Sequence, residues 1–321
     1  MRVLITGMGG ELGTRVALLL EADKRVKEIS GLDVDPPRRR LQKAEFHRVD
    51  PRDRRRVAEI VREIAPTAVL NLGVYEPHAR SVPETARQRT INGSIAALGA
   101  AAEAGQLERI VTRSGIEIYG RRRGVGRVPD EEVPPDPTTP FGHTLLRTEA
   151  VAASAGEVAG VPVTALRFAP VVGPHVPSPL GRYLRLPVVP FSGLVDPPFS
   201  MIHQEDAAAA AVAALHADHD GPLNVCGPGA VTASQAARMG RRLPLPLVGP
   251  EWILMRRLTE LIGSPVPEHV LELLRRGRTA NATEAPRALG ITLGYSTPDV
   301  VKELYDWAPV SYLPVGGEAA A

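Results

Sequence analysis

Lysine is close to absent from this chain of 321 residues. Lys24, Lys27, Lys43 and Lys302 are the only examples, and arginine carries the rest of the positive charge. With the abundance of Ala, Gly and Pro, that bias points to a GC-rich coding sequence and to nothing about mechanism. Cysteine is rarer still: Cys226 stands alone, which excludes an internal disulfide framework. The formal net charge is only +2, so no strong field calls for nucleic acid as a partner. No apolar run approaches a membrane span and no leader precedes the first strand pattern, so a soluble cytoplasmic protein is expected. The length permits one large domain or two modest ones.

What is present is concentrated between Arg2 and Asp33. Val3-Leu4-Ile5 is a short apolar run of strand type, followed at once by Thr6-Gly7-Met8-Gly9-Gly10-Glu11-Leu12-Gly13. Thr14 to Ala22 has helical periodicity through Val16, Leu19 and Leu20, and a second strand from Glu28 stops at Asp33. Gly7, Gly10 and Gly13 have the spacing a dinucleotide fold requires. The first allows a tight turn, the second lets backbone approach a pyrophosphate, and the third lets helix pack close to strand. The helix start offers N–H groups and a positive dipole end to the phosphates. Asp33 would accept hydrogen bonds from a ribose 2′-hydroxyl and repel a 2′-phosphate, which favours NAD; Arg38-Arg39-Arg40 follow closely and could counter that for NADP. A third strand covers Glu45 to Asp50, and an amphipathic helix runs from Asp53 to Glu63. A buried strand spans Ala68 to Val74, a helix about Glu84 to Ala104, and a further strand Arg109 to Thr112. This alternation predicts an α/β protein, a Rossmann-type doubly wound parallel sheet with helices on both faces.

On these residues the chain resembles the extended short-chain dehydrogenase/reductase family, the nucleotide-sugar epimerases, dehydratases and related reductases. Thr6 to Gly13 carries the resemblance first, and matches continue to about residue 230. Val49-Asp50 is similar to the family's adenine-contacting acid, Asn71-Leu72-Gly73 to its fourth-strand turn, and Thr90-Ile91-Asn92-Gly93 to its mid-helix Asn. Ser114 to Gly120 is similar to its serine-rich strand end. Leu166-Arg167-Phe168, Gly173-Pro174, Ile202-His203 with Asp206, and Leu223-Asn224-Val225 match later blocks. The resemblance implies an NAD(P)-binding domain over residues 1–165 with a return segment at about 200–226. It implies a smaller substrate lobe over 166–199 and 227–310, and a tail over 311–321. Cofactor contacts are implied for Gly7, Met8, Gly10, Glu11, Leu12, Gly13, Asp33, Asp50, Pro51, Leu72, Gly73 and Asn92. Ala-rich helices such as Glu84–Ala104 and Phe141–Gly160 pair across a two-fold axis in the family, so a homodimer is expected; no metal is.

Family members catalyse with a tyrosine, a lysine four residues on, and a Ser or Thr on the preceding strand. The lysine charge lowers the pKa of a phenol that would otherwise titrate near about 10. Here Pro140, Gly142 and Glu149 set the register, placing Phe141 at the tyrosine position and Leu145 at the lysine position. Counting back from Tyr119-Gly120 puts Gly115 at the hydroxyl position. No lysine lies between Lys43 and Lys302, so no nearby register restores the pair. Tyr119-x-x-x-Arg123 has the spacing, but Tyr119 fills the family's Tyr-Gly turn and arginine places its charge differently. Matched loss of phenol and ammonium avoids stranding one buried ion. The remaining proton donors near the expected pocket are Tyr75, Glu76, His78 and His143. Each of the two named as stand-ins has a plainer role open to it: His143 as a helix-surface histidine, Tyr75 as a pocket-lining aromatic.

Pro170 stands where members handling nucleotide sugars often carry Asn, which weakens the case for that substrate. Pro174 to Pro198 reads as a loop rich in Leu180, Leu184, Val189 and Leu194; it suits an apolar ligand (lipid, steroid or polyketide) or simple packing over the core. Trp252 to Gly263 reads as an interfacial helix or as a packing helix of the lobe. Two classes of function are therefore expected. One is a cofactor- and ligand-binding or regulatory protein without the family's usual catalysis. The other is an oxidoreductase or epimerase with displaced catalytic groups such as His143 or Tyr75, acting on an apolar or sugar-nucleotide substrate. A membrane-associated lipid enzyme is a third.

Overall fold

A computed structural model describes residues 1–77, 82–121, 128–248 and 266–306. His78, Arg123, the Trp252–Gly263 stretch and the tail from Pro309 lie outside these residues. The first half runs β1 (Arg2–Thr6), α1 (Glu11–Ala22), β2 (Glu28–Asp33), β3 (Glu45–Arg48), α2 (Arg54–Ile64), β4 (Ala68–Asn71), α3 (Pro83–Glu103) and β5 (Arg109–Gly115). The chain continues through α4 (Pro140–Ala159), β6 (Val163–Phe168), β7 (Val171–Val172), α5 (Pro179–Leu184) and β8 (Val188–Ser192). Then come β9 (Ile202–His203), α6 (Gln204–His216), β10 (Gly221–Val225), α7 (Ala233–Met239) and β11 (Leu243–Leu247), followed by helices Glu268–Arg276, Glu284–Leu289 and Thr297–Asp306.

Alternation along the central strands decides the layering. Val3 and Ile5 of β1 point to one face and Leu4 to the other; Leu70 and Val111 join the first face, Val69 and Ile110 the second. Both faces are apolar, so both must be covered. Helices α1 and α6 pack on the Val3 face, through Val16, Leu20, Ala207, Ala211 and Leu215. Helices α2, α3 and α4 pack on the Leu4 face, through Val57, Ile60, Ala97, Leu98, Ala101 and Ala152. Seven strands form the parallel sheet expected from the sequence, in the order β10-β6-β5-β4-β1-β2-β3. The order reverses between β1 and β4, where Val3 lies opposite both Ile29 and Ala68. In such sheets ligands enter at the carboxyl ends of the strands beside that switch point.

A second core binds the later elements. Leu180, Tyr183, Leu184, Val189, Phe199, Val270, Leu273 and Leu304 are buried together in it. Each such side chain contributes roughly 1.5–3 kcal/mol when removed from water. The Pro174–Pro198 stretch, expected as loop, contains α5 and β8, and its Leu180, Leu184 and Val189 belong to this core while Leu194 is exposed. The strand expected to reach Val74 ends at Asn71, where side-chain hydrogen bonds turn the chain out of the sheet. Strand β5 runs on from Thr112 to Gly115, pairing with β6. Among the described residues no helix is long and apolar enough to cross a membrane.

Candidate functional site

Backbone builds the first part of the site. Gly7 has φ +74, a left-handed conformation, and a Cβ there would come within 2.7 Å of Gly73 Cα. A Cβ on Gly13 would lie 2.7 Å from Met8 Cα and run into Gly7 O. Gly10 is exposed and meets only ordinary contact, so its place at the N-cap of α1 is what it provides: no side chain caps the first N–H groups of the helix. Gly9, not singled out from the sequence, is as constrained as its neighbours, because a Cβ would collide with Asp35 O.

Asp33 closes this cleft at the end of β2. It is buried and accepts from Gly9 N (2.9 Å), Val34 N (2.7 Å) and the Tyr75 hydroxyl (2.7 Å). A carboxylate has about four acceptor positions, so one remains. Burial raises its pKa above the ordinary carboxylate value even against these donors. The floor beside it is a satisfied polar network. Thr6 Oγ1 donates to Asn71 Oδ1 (2.8 Å), Asn71 Nδ2 donates to Ser94 and Thr112 hydroxyls (both 3.1 Å), and Gly73 N donates to Thr6 Oγ1 (3.1 Å). Gly7, Val49, Pro51, Gly73, Tyr75, Arg89 and Gly93 enclose the adjoining pocket. Of the expected contacts, Gly7, Gly73, Pro51 and Asp33 are thus gathered here. Met8 and Leu72 are buried, Met8 packing on Gly31, and Asn92 is half-buried with Gly93 and Ser94 lining the pocket in its place. Asp50 pairs with Arg52 (2.6 Å), which lowers its pKa, and lies 3.9 Å from Arg89.

A second cavity, about 460 Å³ of space partly open to solvent, lies at the ends of β5 and β6 under helix Glu268–Arg276. Gly115, Phe141 and Leu145 all line it. Thr139 Oγ1 accepts from Gly142 N (3.2 Å) and Pro140 opens the helix, so α4 starts here with Phe141 and Leu145, one turn apart, on the same face. His143, two residues from Phe141, is exposed and does not line the cavity. Tyr75 is likewise no proton donor for it. Burial, then the charge of Asp33, pushes its phenol far above the ordinary range, and its hydroxyl is spent on Asp33. Tyr119 is buried in structural work, donating to Asn224 Oδ1 (2.8 Å) and accepting from Arg167 (2.9 Å).

Other ionisable groups occupy this cavity. A Cβ added at Gly115 would strike Glu117 Oε2 and lie 3.1 Å from Leu145 Cδ1, so the carboxylate fills the space a Ser or Thr would need. Glu117 is held 3.3 Å from the buried Arg278, which also binds Glu272 at 2.5 Å. His269 Nε2 lies 2.9 Å from Glu76 Oε1, and the His269 ring sits 4.6 Å from that of Phe141 at 40°. Arg113 and Ser114 complete the polar lining. Sequence reasoning placed Glu76 near the pocket but missed Arg113, Glu117 and His269. An acid and a base inside the strand-end block were the available signal for the first two.

A sequence model of the NAD dependent epimerase/dehydratase family matches residues 3–226. The chain belongs to that family. Among curated relatives, an uncharacterized protein of Mycobacterium tuberculosis is 26% identical over 315 residues, spanning 95% of this chain and 82% of its own. Among solved structures, the UDP-glucose 4-epimerase of Thermotoga maritima with UDP-glucose superposes with a TM-score of 0.73 at 19% identity, covering 95% of this chain and 98% of that one. The UDP-glucuronic acid 4-epimerase of Bacillus cereus, solved with NAD, gives 0.71 at 16% identity over 95% and 98%.

Proposed function

We propose that this protein is an NAD-dependent oxidoreductase or epimerase whose proton-handling groups have moved. The cleft fits a dinucleotide: three glycines admit no Cβ, the start of α1 is uncapped, and Asp33 keeps an acceptor position free for a ribose hydroxyl. That carboxylate also disfavours a 2′-phosphate, so NAD is preferred to NADP. When bound, the cofactor supplies reversible hydride acceptance. Gly115, Phe141 and Leu145 stand at the positions of the family's hydroxyl, phenol and ammonium, and carry none of these groups.

The observation that carries the proposal is the Glu76–His269 pair against Phe141. The Glu76 side chain keeps 30% of its surface, and its Oε2 has no hydrogen-bond partner among the described residues. Glu76 Oε2 accepts the proton of a substrate hydroxyl as it is oxidised and returns it on reduction. His269 holds the carboxylate in place and stabilises its charge. Polar groups at the cavity favour a polar substrate over a lipid or steroid. We further assign a cytoplasmic homodimer, packed through the α3–α4 face where exposed Val158 borders Gly99, Ala102 and Ser154. A concentration-independent monomer mass would refute that assembly.

The test is nicotinamide absorbance of the NAD-loaded protein against a panel of sugar nucleotides, sugar acids and secondary alcohols. Turnover should fall by about 10²–10⁴ in Glu76→Gln, less in His269→Gln, with NAD affinity retained. His143→Ala should match the parent. Absorbance that stays constant across the panel would leave the protein as a cofactor and ligand binder without catalysis.

A further inference from the structure

Arg113 is the one charged cavity group with no counterpart inside the protein among the described residues. It lies near the end of β5, a strand paired on both sides, so protein surrounds it and its accessible surface opens on the cavity. Burial lowers its pKa, with Glu76 and Glu117 opposing from a distance. Neither acid pairs with it. Glu76 is taken by His269 at 2.9 Å, and Glu117 by Arg278 at 3.3 Å. Beside it, Ser114 is 2% exposed and its Oγ has no hydrogen-bond partner. A guanidinium with five donors therefore borders a space walled by Phe141, Leu145 and Leu180. A half-buried cation left unpaired is costly, and the planar fork matches a carboxylate with two parallel hydrogen bonds. The uncapped start of α1 lies two strands away across the sheet, roughly 10 Å, so the phosphates of a dinucleotide have their own donors.

We propose that Arg113 receives a carboxylate carried by the substrate, so that the protein acts on an acidic hydroxy or keto compound (a uronic acid, if the substrate is a sugar nucleotide). That this acid is a substrate, rather than only a ligand, rests on the cavity being the reaction site. The test is calorimetry on NAD-saturated protein with three matched pairs: UDP-glucuronic acid and UDP-glucose, glucuronate and glucose, benzoate and benzamide. At least one acid should bind about 10- to 100-fold more tightly than its neutral partner. Arg113→Met should erase that ratio while leaving NAD affinity in place, and Arg113→Lys should keep part of it. Three pairs without preference, including no binding by any acid, overturn the proposal. So does a preference that survives in Arg113→Met, or a loss of NAD affinity in that variant by the same factor, which would assign the guanidinium to the cofactor's phosphates. Should Arg113→Met fail to fold, the wild-type ratios and Arg113→Lys still decide. The ratios are read without turnover. An acid preference with constant nicotinamide absorbance refutes catalysis alone, and turnover without acid preference refutes the anion site alone.

Discussion

The glycine-lined cleft at the ends of β1, β2 and β4 and the cavity at the ends of β5 and β6 open along one edge of the same sheet, yet they are made of different material. The cleft is chiefly backbone: Gly7, Gly9 and Gly13 are fixed by atoms of Gly73, Asp35 and Met8 that cannot move. The cavity is side chain: Glu76, Arg113, Glu117 and His269 come from separate segments and meet only in the fold. Backbone geometry tolerates one residue type, whereas proton transfer and charge can be supplied from several directions. A family can therefore keep the first and rearrange the second.

Four substitutions sharpen that contrast. Arg278→Met strands Glu117 and leaves Glu272 only Thr138 and the more distant Arg276, and should destabilise the protein by about 3–5 kcal/mol in urea unfolding. A loss under about 1 kcal/mol would mean that the cavity's charges are not held as described. Gly13→Val should reduce NAD affinity by at least about 100-fold in calorimetry, since added atoms meet backbone and overpacking alone costs about 1–3 kcal/mol. Turnover-independent binding at parental strength would show the cleft to be less rigid than its glycines imply.

Asp33→Asn probes the one side chain on which the cleft depends. Because burial raises the folded pKa, the stability associated with its proton is present below the unfolded value and lost as pH rises through the folded one. The variant cannot lose it. Without cofactor its stability should fall less than the parent's between acid and neutral pH, while NAD affinity falls about tenfold. Equal melting curves at both pH values would contradict the direction of the shift. The smallest effect is expected from Tyr75→Phe, a loss of about 1–2 kcal/mol in thermal unfolding as Asp33 gives up one of three donors.

Legibility in the sequence follows the same division. The alternation of Val3, Leu4 and Ile5 and the glycine spacing announce the sheet and its cleft, because strand period and Cβ collisions are local facts. Phe141 and Leu145 could be placed on one wall by helical spacing, and the same spacing turns His143 outward. His269 could not be found that way: it is 193 residues from Glu76 along the chain, and nothing near it in sequence marks it as a partner. The Pro174–Pro198 stretch misled for another reason. Its prolines punctuate α5 and β8 without preventing them. Cys226, which excludes an internal disulfide, is buried, and burial pushes its thiol up to about 12.

Position 115 also restricts how the cavity can change. A serine or threonine there must evict the Glu117 carboxylate, which is pinned on Arg278. A hydroxyl placed there by a single exchange would therefore press on the acid at one end of the Glu117–Arg278–Glu272 ionic chain.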